Sequence, residues 1–254
     1  MNTLITGASS GIGEALALEC ARRLDRLFLC GRDAARLEDV ARRCRAMDAP
    51  TYATVVDVTD REAMRAWIHS CEAIAPIERI FANAGVGTGV EDEQNVRRTF
   101  DTNVGGTLNT VLPAIDLFRS RRGGGQIVIT ASMAGYGPLK SCPAYSATKS
   151  CIKTWGLALR GMLAPEGIRV NVVCPGFVRS RITDRNTCPM PFFMEADKAA
   201  EIILRRADRN IGLIAFPWQM RLASWALSIL PFRLNEFING LLPAKVSPNR
   251  DKAL

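Results

Sequence analysis

Histidine is nearly absent from this chain, and its scarcity disfavours two kinds of catalytic site. The 254 residues contain one histidine, His69, in a segment of helical pattern where a surface or packing role is expected. Zinc sites built from clusters of His and Cys have no support, so we predict no metal site. A Ser-His-Asp hydrolase would rest entirely on His69, so that class of enzyme is also disfavoured.

Regular cysteine spacing is also missing. The eight cysteines form no Cys-x-x-Cys pair, and Cys30, Cys151 and Cys174 lie inside apolar runs, where a thiol behaves as a small hydrophobe. A disulfide framework is not expected in a chain of this length, so a reducing compartment is the better interpretation. The first residues, MNTLITG, resemble a strand and not a signal peptide, and we therefore expect a cytoplasmic protein.

No single stripe of positive charge accounts for the net charge of +8. The excess arginines are scattered as pairs along the chain, which is typical of solvated helix faces. We therefore expect no nucleic-acid partner. A basic balance still favours anionic small molecules, such as phosphorylated cofactors.

Short apolar runs alternate with amphipathic stretches through most of the chain. Seven runs are predicted as strands: NTLIT, RLFLC, TYATVV, RIFAN, GQIVIT, IRVNVV and GLIAF. Continuous apolar strands separated by helices indicate a doubly wound, mostly parallel sheet covered by helices on both faces. We find no repeat, no low-complexity linker and no composition break. One α/β domain spanning 1–254 is predicted, with an apolar tail from about residue 218.

A glycine-rich turn follows the first predicted strand. Gly7, Gly11 and Gly13 fall between that strand and a helix, in the stretch TGASSGIGEALA. At this position, glycines let backbone amides approach a pyrophosphate, and the positive end of the helix dipole favours its charge. The spacing Gly-x-x-x-Gly-x-Gly departs from the commoner Gly-x-Gly-x-x-Gly. Turn chemistry alone is the alternative interpretation.

The end of the second predicted strand distinguishes between dinucleotides. A cofactor without a 2′-phosphate usually meets an acid there, about 20 residues after the glycines. This chain has Arg32 instead, and a guanidinium can donate two hydrogen bonds to a phosphate. Asp33 is predicted to cap the next helix.

A phenol and an ammonium are paired near the middle of the chain. Tyr145 and Lys149 are four residues apart in AYSATKS, so both lie on one face of a helix. A neighbouring ammonium favours a phenolate, so we expect Lys149 to lower the pKa of Tyr145. Such a phenol could exchange a proton near neutral pH.

Together these motifs resemble the short-chain dehydrogenase/reductase family. Its Thr-Gly-x-x-x-Gly-x-Gly pattern matches 6–13, its Asn-Ala-Gly matches 83–85, and its Tyr-x-x-x-Lys matches Tyr145 and Lys149. The serine that precedes this last motif matches Ser132, thirteen positions ahead of Tyr145.

Further matches extend the resemblance from residue 3 to about residue 217. Asn103 corresponds to the asparagine of the family's tetrad, Asp57-Val58 to the pair that faces the adenine, and Pro175-Gly176 to a turn after the sixth strand. Ser180 stands where the family often has a threonine that contacts the nicotinamide carboxamide. The resemblance implies a Rossmann fold.

The resemblance also implies a mechanism. Tyr145 would exchange a proton with a carbonyl or alcohol, Ser132 would hold the substrate oxygen, and Asn103 would support a proton-relaying water. Lys149 would also bond the nicotinamide ribose. The implied cofactor is NADP(H), with NAD(H) as the alternative. The implied cofactor-binding residues are Gly7, Ser9, Ser10, Gly11, Ile12, Gly13, Arg32, Asp57, Val58, Asn83, Ala84, Gly85, Tyr145, Lys149, Pro175, Gly176, Val178 and Ser180.

An NADPH-dependent reductase or dehydrogenase acting on a small carbonyl or alcohol is the leading hypothesis. A dinucleotide-binding redox sensor without catalysis is the alternative. Family analogy also implies a homo-oligomer, a dimer or tetramer. The apolar segment 189–194, PMPFFM, suggests a lid over an apolar substrate, or a loop that packs on its own domain.

The apolar tail has three possible roles. Eleven residues without a charge lie between Arg221 and Arg233, fewer than the roughly 20 that a membrane-spanning helix needs. We expect the tail to cover the substrate cleft or to join a subunit interface. Contact with a membrane surface is the less favoured alternative.

Overall fold

The computed structural model describes residues 1–121, 124–185 and 189–241. Within these residues, seven strands form one sheet in the order β3-β2-β1-β4-β5-β6-β7, and every neighbouring pair is parallel. In chain order the strands are β1 (Asn2–Thr6), β2 (Arg26–Gly31), β3 (Thr51–Val55), β4 (Arg79–Ala82), β5 (Gly125–Thr130), β6 (Ile168–Pro175) and β7 (Leu213–Phe216). The predicted doubly wound sheet is confirmed, and it is parallel throughout.

Helices connect the strands and continue past the last one. They are α1 (Gly11–Arg22), α2 (Ala34–Arg45), α3 (Arg61–Ile74), α4 (Glu93–Phe100), α5 (Gly106–Ser120), α6 (Pro143–Leu163), α7 (Ala196–Asp208), α8 (Trp218–Ile229) and α9 (Phe232–Leu241). Asp33 accepts a hydrogen bond from Arg36 N at 3.0 Å, so its predicted capping of α2 is confirmed.

Two apolar layers cover the sheet, one on each face. In β2, Leu27 and Leu29 point into the layer formed with α1, α2 and α7, whereas Phe28 and Cys30 point into the layer formed with α3, α5 and α6. Successive strand residues point to opposite faces, so a strand buried on both faces is apolar at most positions. This explains the apolar runs in the sequence, and the buried polar residues Arg79, Gln126 and Asn171 bond to one another.

One predicted helix is continuous but is not an α-helix throughout. The stretch 93–118 reads as a single helix in sequence, and residues Asp101–Gly105 form a turn of π-helix that joins α4 to α5 without a gap. The turn contains Asn103, whose side chain bonds to the backbone of a neighbouring loop. It ends next to Gly106, where a Cβ would lie 2.5 Å from Val58 Cγ2. Such turns are often found at functional sites.

The carboxyl ends of the parallel strands lie at one edge of the sheet. The strand order reverses beside β1, because β2 and β3 lie on one side of it and β4 to β7 on the other. Ligands of open α/β sheets bind in the crevice at such a switch point. The loops that leave this edge carry most of the residues predicted for the site.

The segment predicted as a lid packs on its own domain, and the tail is helical. Met194 exchanges backbone hydrogen bonds with Phe177 and Arg179, which ties the segment 189–194 to the chain after β6. The tail forms α8 and α9, and residues 242–254 lie outside the described part of the chain. No helix among the described residues is long and apolar enough to cross a membrane.

Candidate active site

The glycine turn is held by contacts with its own chain. Gly7 and Gly11 have φ of +66° and +57°, in the left-handed region that favours glycine. A Cβ on Gly7 would lie 2.8 Å from Ala84 Cα, and one on Gly11 would lie 2.9 Å from Ser180 Cβ. A Cβ on Gly13 would lie 2.2 Å from Gly7 O. The turn therefore packs against the loops after β4 and β6.

A hydrogen-bond network joins three neighbouring strands at this edge. Thr6 Oγ1 accepts from Asn83 N at 3.0 Å and from Ala84 N at 3.2 Å, and Asn83 Nδ2 donates to Thr6 O at 3.2 Å. Thr130 Oγ1 donates to Asn83 Oδ1 at 3.2 Å. The predicted Asn83-Ala84 pair is thus fixed between β1 and β5, and the role of Thr130 was not anticipated from sequence.

A cleft of about 500 Å³ opens along these loops. Most of the predicted site residues line it: Gly7, Ser9, Ser10, Gly11, Ile12, Arg32, Val58, Asn83, Ala84, Gly85, Ser132, Tyr145, Lys149, Pro175, Gly176, Val178 and Ser180. Three predicted residues, Gly13, Asp57 and Asn103, are not among the residues that line it. Gly13 lies behind the glycine turn, and the other two contact residues that do line the cleft.

The Arg32 end of the cleft, formed by Arg32, Arg36 and Asp57, is charged and partly exposed. Arg32 Nη1 lies 3.7 Å from Asp57 Oδ2, so the loop after β3 supplies an acid that the end of β2 lacks. Asp57 Oδ1 accepts from Thr59 N and Thr59 Oγ1, which fixes the carboxylate. Arg36 also lines the cleft. Its Nη2 pairs with Asp33 Oδ2 at 2.6 Å, and its buried Nε has no hydrogen-bond partner among the described residues. Arg36 was missed by sequence reasoning.

Asn103 is fully buried behind the opposite end of the cleft. Its Oδ1 accepts from Val86 N at 2.7 Å, and its Nδ2 donates to Val86 O at 3.0 Å and to Thr148 Oγ1 at 3.1 Å. These bonds hold the loop after β4 against α6. They leave Asn103 beside Gly85, where a Cβ would lie 3.2 Å from Asn103 Oδ1 and 3.3 Å from Lys149 Nζ.

The Tyr145 end of the cleft, formed by Ser132, Tyr145 and Lys149, contains two ionisable groups taken out of water. Burial raises the pKa of the Tyr145 phenol to about 12, and a hydrogen bond with Ser132 opposes part of that rise. Burial also lowers the pKa of the Lys149 ammonium to about 8. Both shifts follow from the cost of burying a charge.

The expected lowering of the Tyr145 pKa by Lys149 is therefore wrong in direction. Lys149 Nζ donates to Thr130 O at 2.9 Å and lies 5.7 Å from the centroid of the Tyr145 ring. Desolvation of the phenol is the largest cause of the raised pKa. Ser132 also caps the short 3₁₀ turn that follows β5, because its Oγ accepts from Ala134 N at 3.1 Å.

A second, smaller cavity of about 100 Å³ adjoins the Tyr145 end. It shares eight residues with the larger cleft, so these residues stand where the two spaces meet: Gly87, Thr88, Ser132, Tyr145, Pro175, Gly176, Ile182 and Thr183. Sequence reasoning assigned none of its remaining lining residues: Gly89, Glu91, Thr99, Met133, Ala134, Cys142, Phe177 and Met220. The predicted lid, 189–194, contributes no lining residue.

Three of these lining residues have identifiable structural roles. Glu91 accepts from Ala144 N at 3.1 and 3.2 Å and so caps α6, whose own N-cap residue, Cys142, makes no side-chain cap bond. Thr183 Oγ1 accepts from Ser180 N at 2.8 Å and donates to Val178 O at 2.9 Å. A Cβ on Gly176 would lie 2.6 Å from Met220 Sδ, so α8 packs directly on the turn after β6.

The residues of the large cleft fit a dinucleotide. Helix α1 begins inside the cleft, and its N-cap residue, Ser10, makes no side-chain cap bond to the first-turn N–H groups. Uncapped N–H groups at a helix N-terminus favour a pyrophosphate. The unpaired Arg36 Nε and the exposed Arg32 suit a further phosphate at the other end of the cleft.

Comparisons with known proteins agree with this geometry. A family model described as short chain dehydrogenase matches residues 1–189. An uncharacterized oxidoreductase of Myxococcus xanthus is 37% identical over 236 residues, covering 90% of this chain and 92% of that protein. The 11-beta-hydroxysteroid dehydrogenase A of Sesamum indicum is 30% identical over 246 residues, covering 87% and 70%. Among solved structures, a short-chain dehydrogenase from Sphingobium yanoikuyae in complex with NADPH matches with a TM-score of 0.80 at 26% identity, covering 98% of this chain and 100% of that one.

Proposed function

The chain belongs to the short-chain dehydrogenase family and is an oxidoreductase of that type, and we propose that it is an NADPH-dependent reductase of a small, apolar carbonyl compound. The observation that carries the proposal is the position of Ser132 and Tyr145, which both line the large cleft and the small cavity where the two meet. A carbonyl oxygen in the small cavity would reach both hydroxyl groups.

The large cleft would hold the dinucleotide. The glycine turn and the first turn of α1 would bind its pyrophosphate, and Lys149 would bind the ribose next to the nicotinamide. When bound, the cofactor supplies the hydride that reduces the carbonyl carbon.

Tyr145 is suited to act as the proton donor. With a pKa of about 12, its phenol stays protonated at neutral pH and can give its proton to an oxygen that gains negative charge. Ser132 would hold that oxygen by a hydrogen bond. Lys149, held on Thr130 O at 2.9 Å, would stabilise the phenolate left behind. The water-supporting role that the resemblance implies for Asn103 stays a prediction.

The preference for NADPH rests on two arginines at the Arg32 end. Arg32 and Arg36 both line the cleft there, and a guanidinium donates to a phosphate with a matching planar geometry. Two acids neutralise part of this charge, because Asp57 lies 3.7 Å from Arg32 and Asp33, which also lines the cleft, lies 2.6 Å from Arg36. The NADPH complex of the Sphingobium yanoikuyae relative supports the same choice.

The alternative of a redox sensor without catalysis is not favoured. A sensor needs the dinucleotide cleft but has no use for a partly buried phenol beside a second cavity. Apolar lining residues of that cavity, Phe177, Ile182 and Met220, support an apolar substrate, and its polar lining residues lie beside them. A small apolar aldehyde, ketone or quinone fits such a space.

The test is NADPH oxidation by the purified protein with a panel of aldehydes, ketones and quinones. Tyr145→Phe keeps the ring and removes the transferable proton, so turnover should fall by about a hundredfold or more while NADPH still binds. Tyr136→Phe is the matched control, because Tyr136 lines neither cavity. If Tyr145→Phe kept most of the activity on the best substrate, the proposed mechanism would be wrong.

A further inference from the structure

Helix α8 is apolar on two opposite sides. One side packs on the protein, where Met220 lies against Gly176 and lines the small cavity. A helix that is apolar all round is normally buried on every side. The second side of α8 is not covered by any of the described residues, so we expect it to contact something else.

Four large side chains form a stripe on this second side. Trp218, Leu222, Trp225 and Ile229 recur at helical spacing, so they project from one line along α8. Their exposed fractions are 69%, 55%, 53% and 63%. Scattered exposed apolar residues are ordinary, but a continuous apolar patch marks an interaction surface.

Helix α9 extends the exposed apolar surface. Asn235 Nδ2 donates to Leu227 O at 2.6 Å and ties α9 to α8. Leu234 and Phe237 on α9 are 46% and 65% exposed. We call the six exposed residues of the two helices the outer face: Trp218, Leu222, Trp225, Ile229, Leu234 and Phe237.

The charge around the outer face is mainly positive. Arg221 and Arg233 are both exposed there, and Glu236, also exposed, is the one acid in α8 and α9. Basic residues next to a Trp- and Leu-rich surface are typical of helices that lie in the interface of an anionic membrane. Tryptophan in particular is enriched at the boundary between headgroups and acyl chains.

We propose that the outer face binds the surface of a membrane that contains anionic lipids. A second copy of the chain fits less well, because a symmetric contact would bring together Arg221 and Arg233 of both copies, twice as many positive charges as the two copies of Glu236 could neutralise. The 12-residue α8 is far shorter than the roughly 20 residues that a spanning helix needs, so it would lie flat on the surface. The sequence presents covering of the cleft and membrane contact as alternatives, but the two sides of α8 can serve both.

Membrane binding would place the substrate cavity near lipid. Met220 lines that cavity from the inner side of the same helix whose outer side carries Trp218 and Trp225. An apolar substrate dissolved in the bilayer would then reach the cavity without crossing much water. The binding proposal itself stands on the outer face and does not require the proposed reaction.

The test is sedimentation of the full-length protein with two kinds of vesicles, pure phosphatidylcholine and phosphatidylcholine mixed with phosphatidylglycerol. We expect binding to the anionic vesicles that weakens with added salt. Trp225→Ser combined with Ile229→Ser should weaken it by about tenfold or more, because binding scales with buried apolar area. Ile74→Ser is the matched control, since Ile74 is 49% exposed on α3, away from the outer face.

A second variant separates charge from apolar contact. Arg221→Gln with Arg233→Gln should reduce binding to anionic vesicles and its sensitivity to salt. Thermal unfolding and molecular mass without vesicles show whether each variant is folded and equally assembled. Absence of vesicle binding, or equal binding by the Trp225→Ser/Ile229→Ser variant, overturns the proposal. A lower molecular mass of that variant with unchanged vesicle binding also overturns it and assigns the outer face to self-association.

Discussion

The two ends of the large cleft differ in whether their ionisable side chains are exposed to water or buried. At the Arg32 end, Arg32 and Asp57 are 47% and 41% exposed, so water screens their attraction and the pair is worth little by itself. At the Tyr145 end, burial moves the pKa values of Tyr145 and Lys149 away from their ordinary values, each toward its neutral form. The exposed end suits recognition of a charged ligand, and the buried end suits proton transfer.

The largest expected effect comes from removing the buried cation. Lys149→Met should lower turnover by about a hundredfold or more, in the range expected for loss of a group that acts on proton transfer. Steady-state NADPH oxidation measures it. Lys153→Met is the matched control on the same helix, because Lys153 lies over the ring of Tyr136 and lines neither cavity. Similar losses of turnover in both variants would show that any Lys→Met substitution in α6 impairs the enzyme, and would contradict a specific role for Lys149.

Removing the exposed cation should change cofactor choice more than turnover. Arg32→Ala should weaken NADPH binding by roughly tenfold to a hundredfold, the equivalent of one charge-assisted contact of about 1.5–3 kcal/mol, and leave NADH binding nearly unchanged. Fluorescence titration of both cofactors measures it. Arg42→Ala is the matched control. It removes an exposed arginine of α2 that does not line the cleft, and should alter neither affinity. Equal affinity of the unmodified protein for the two cofactors would contradict the NADPH assignment.

The buried end also predicts a pH dependence of stability. The pKa of Lys149 is about 8 in the folded protein and 10.5 ordinarily, so the unfolded chain binds more protons between these values. The contribution of Lys149 to the free energy of unfolding should therefore rise with pH across that range, by on the order of 1 kcal/mol between pH 8 and 9. Groups whose pKa burial raises contribute the opposite trend, the thiols from about pH 8 and Tyr145 above about pH 10: Cys20, Cys30, Cys44, Cys71, Cys174 and Tyr145. Urea denaturation isolates the lysine, because the difference in the free energy of unfolding between the unmodified protein and Lys149→Met should shift in favour of the unmodified protein as the pH rises from 8 to 9.

The smallest expected effect concerns the cap of α6. Glu91→Ala removes the acceptor for Ala144 N and should lower the free energy of unfolding by about 0.5–1 kcal/mol, as for other lost caps. Glu93→Ala, which removes an exposed acid that pairs with Arg97, should cost less. Urea denaturation ranks the two variants. A larger loss for Glu93→Ala would show that Glu91 does not hold the helix.

Residues set by local geometry were predictable from sequence. Gly7 and Gly11 occupy turns with positive φ, and Asp33 caps a helix, so their neighbours along the chain identify them. The strand runs were equally clear, because burial on both faces demands an apolar residue at most positions. The assembly of Ser132 and Tyr145 was anticipated only through the family resemblance.

Residues set by packing between distant segments were not predictable. Glu91 reaches Ala144, 53 positions away, and Met220 reaches Gly176 from a helix whose path depends on that contact. The predicted direction of the Tyr145 pKa shift was wrong for the same reason. The proximity of Tyr145 to Lys149 is visible in the sequence, but the burial that raises the pKa of the phenol is not.

The position of β1 inside the sheet has a consequence for synthesis of the chain. Strand β1 is made before the other six described strands, and Thr3 pairs with Leu27 on one side and with Arg79 on the other. The second partner strand, β4, ends at residue 82, whereas the first, β2, ends at residue 31. At translation rates of about 5–20 residues per second, the 51 residues between those points (82 − 31) take roughly 3–10 s to make. Throughout that interval the nascent protein presents an open strand edge, and a ribosome that stalls there exposes a template for pairing with another chain.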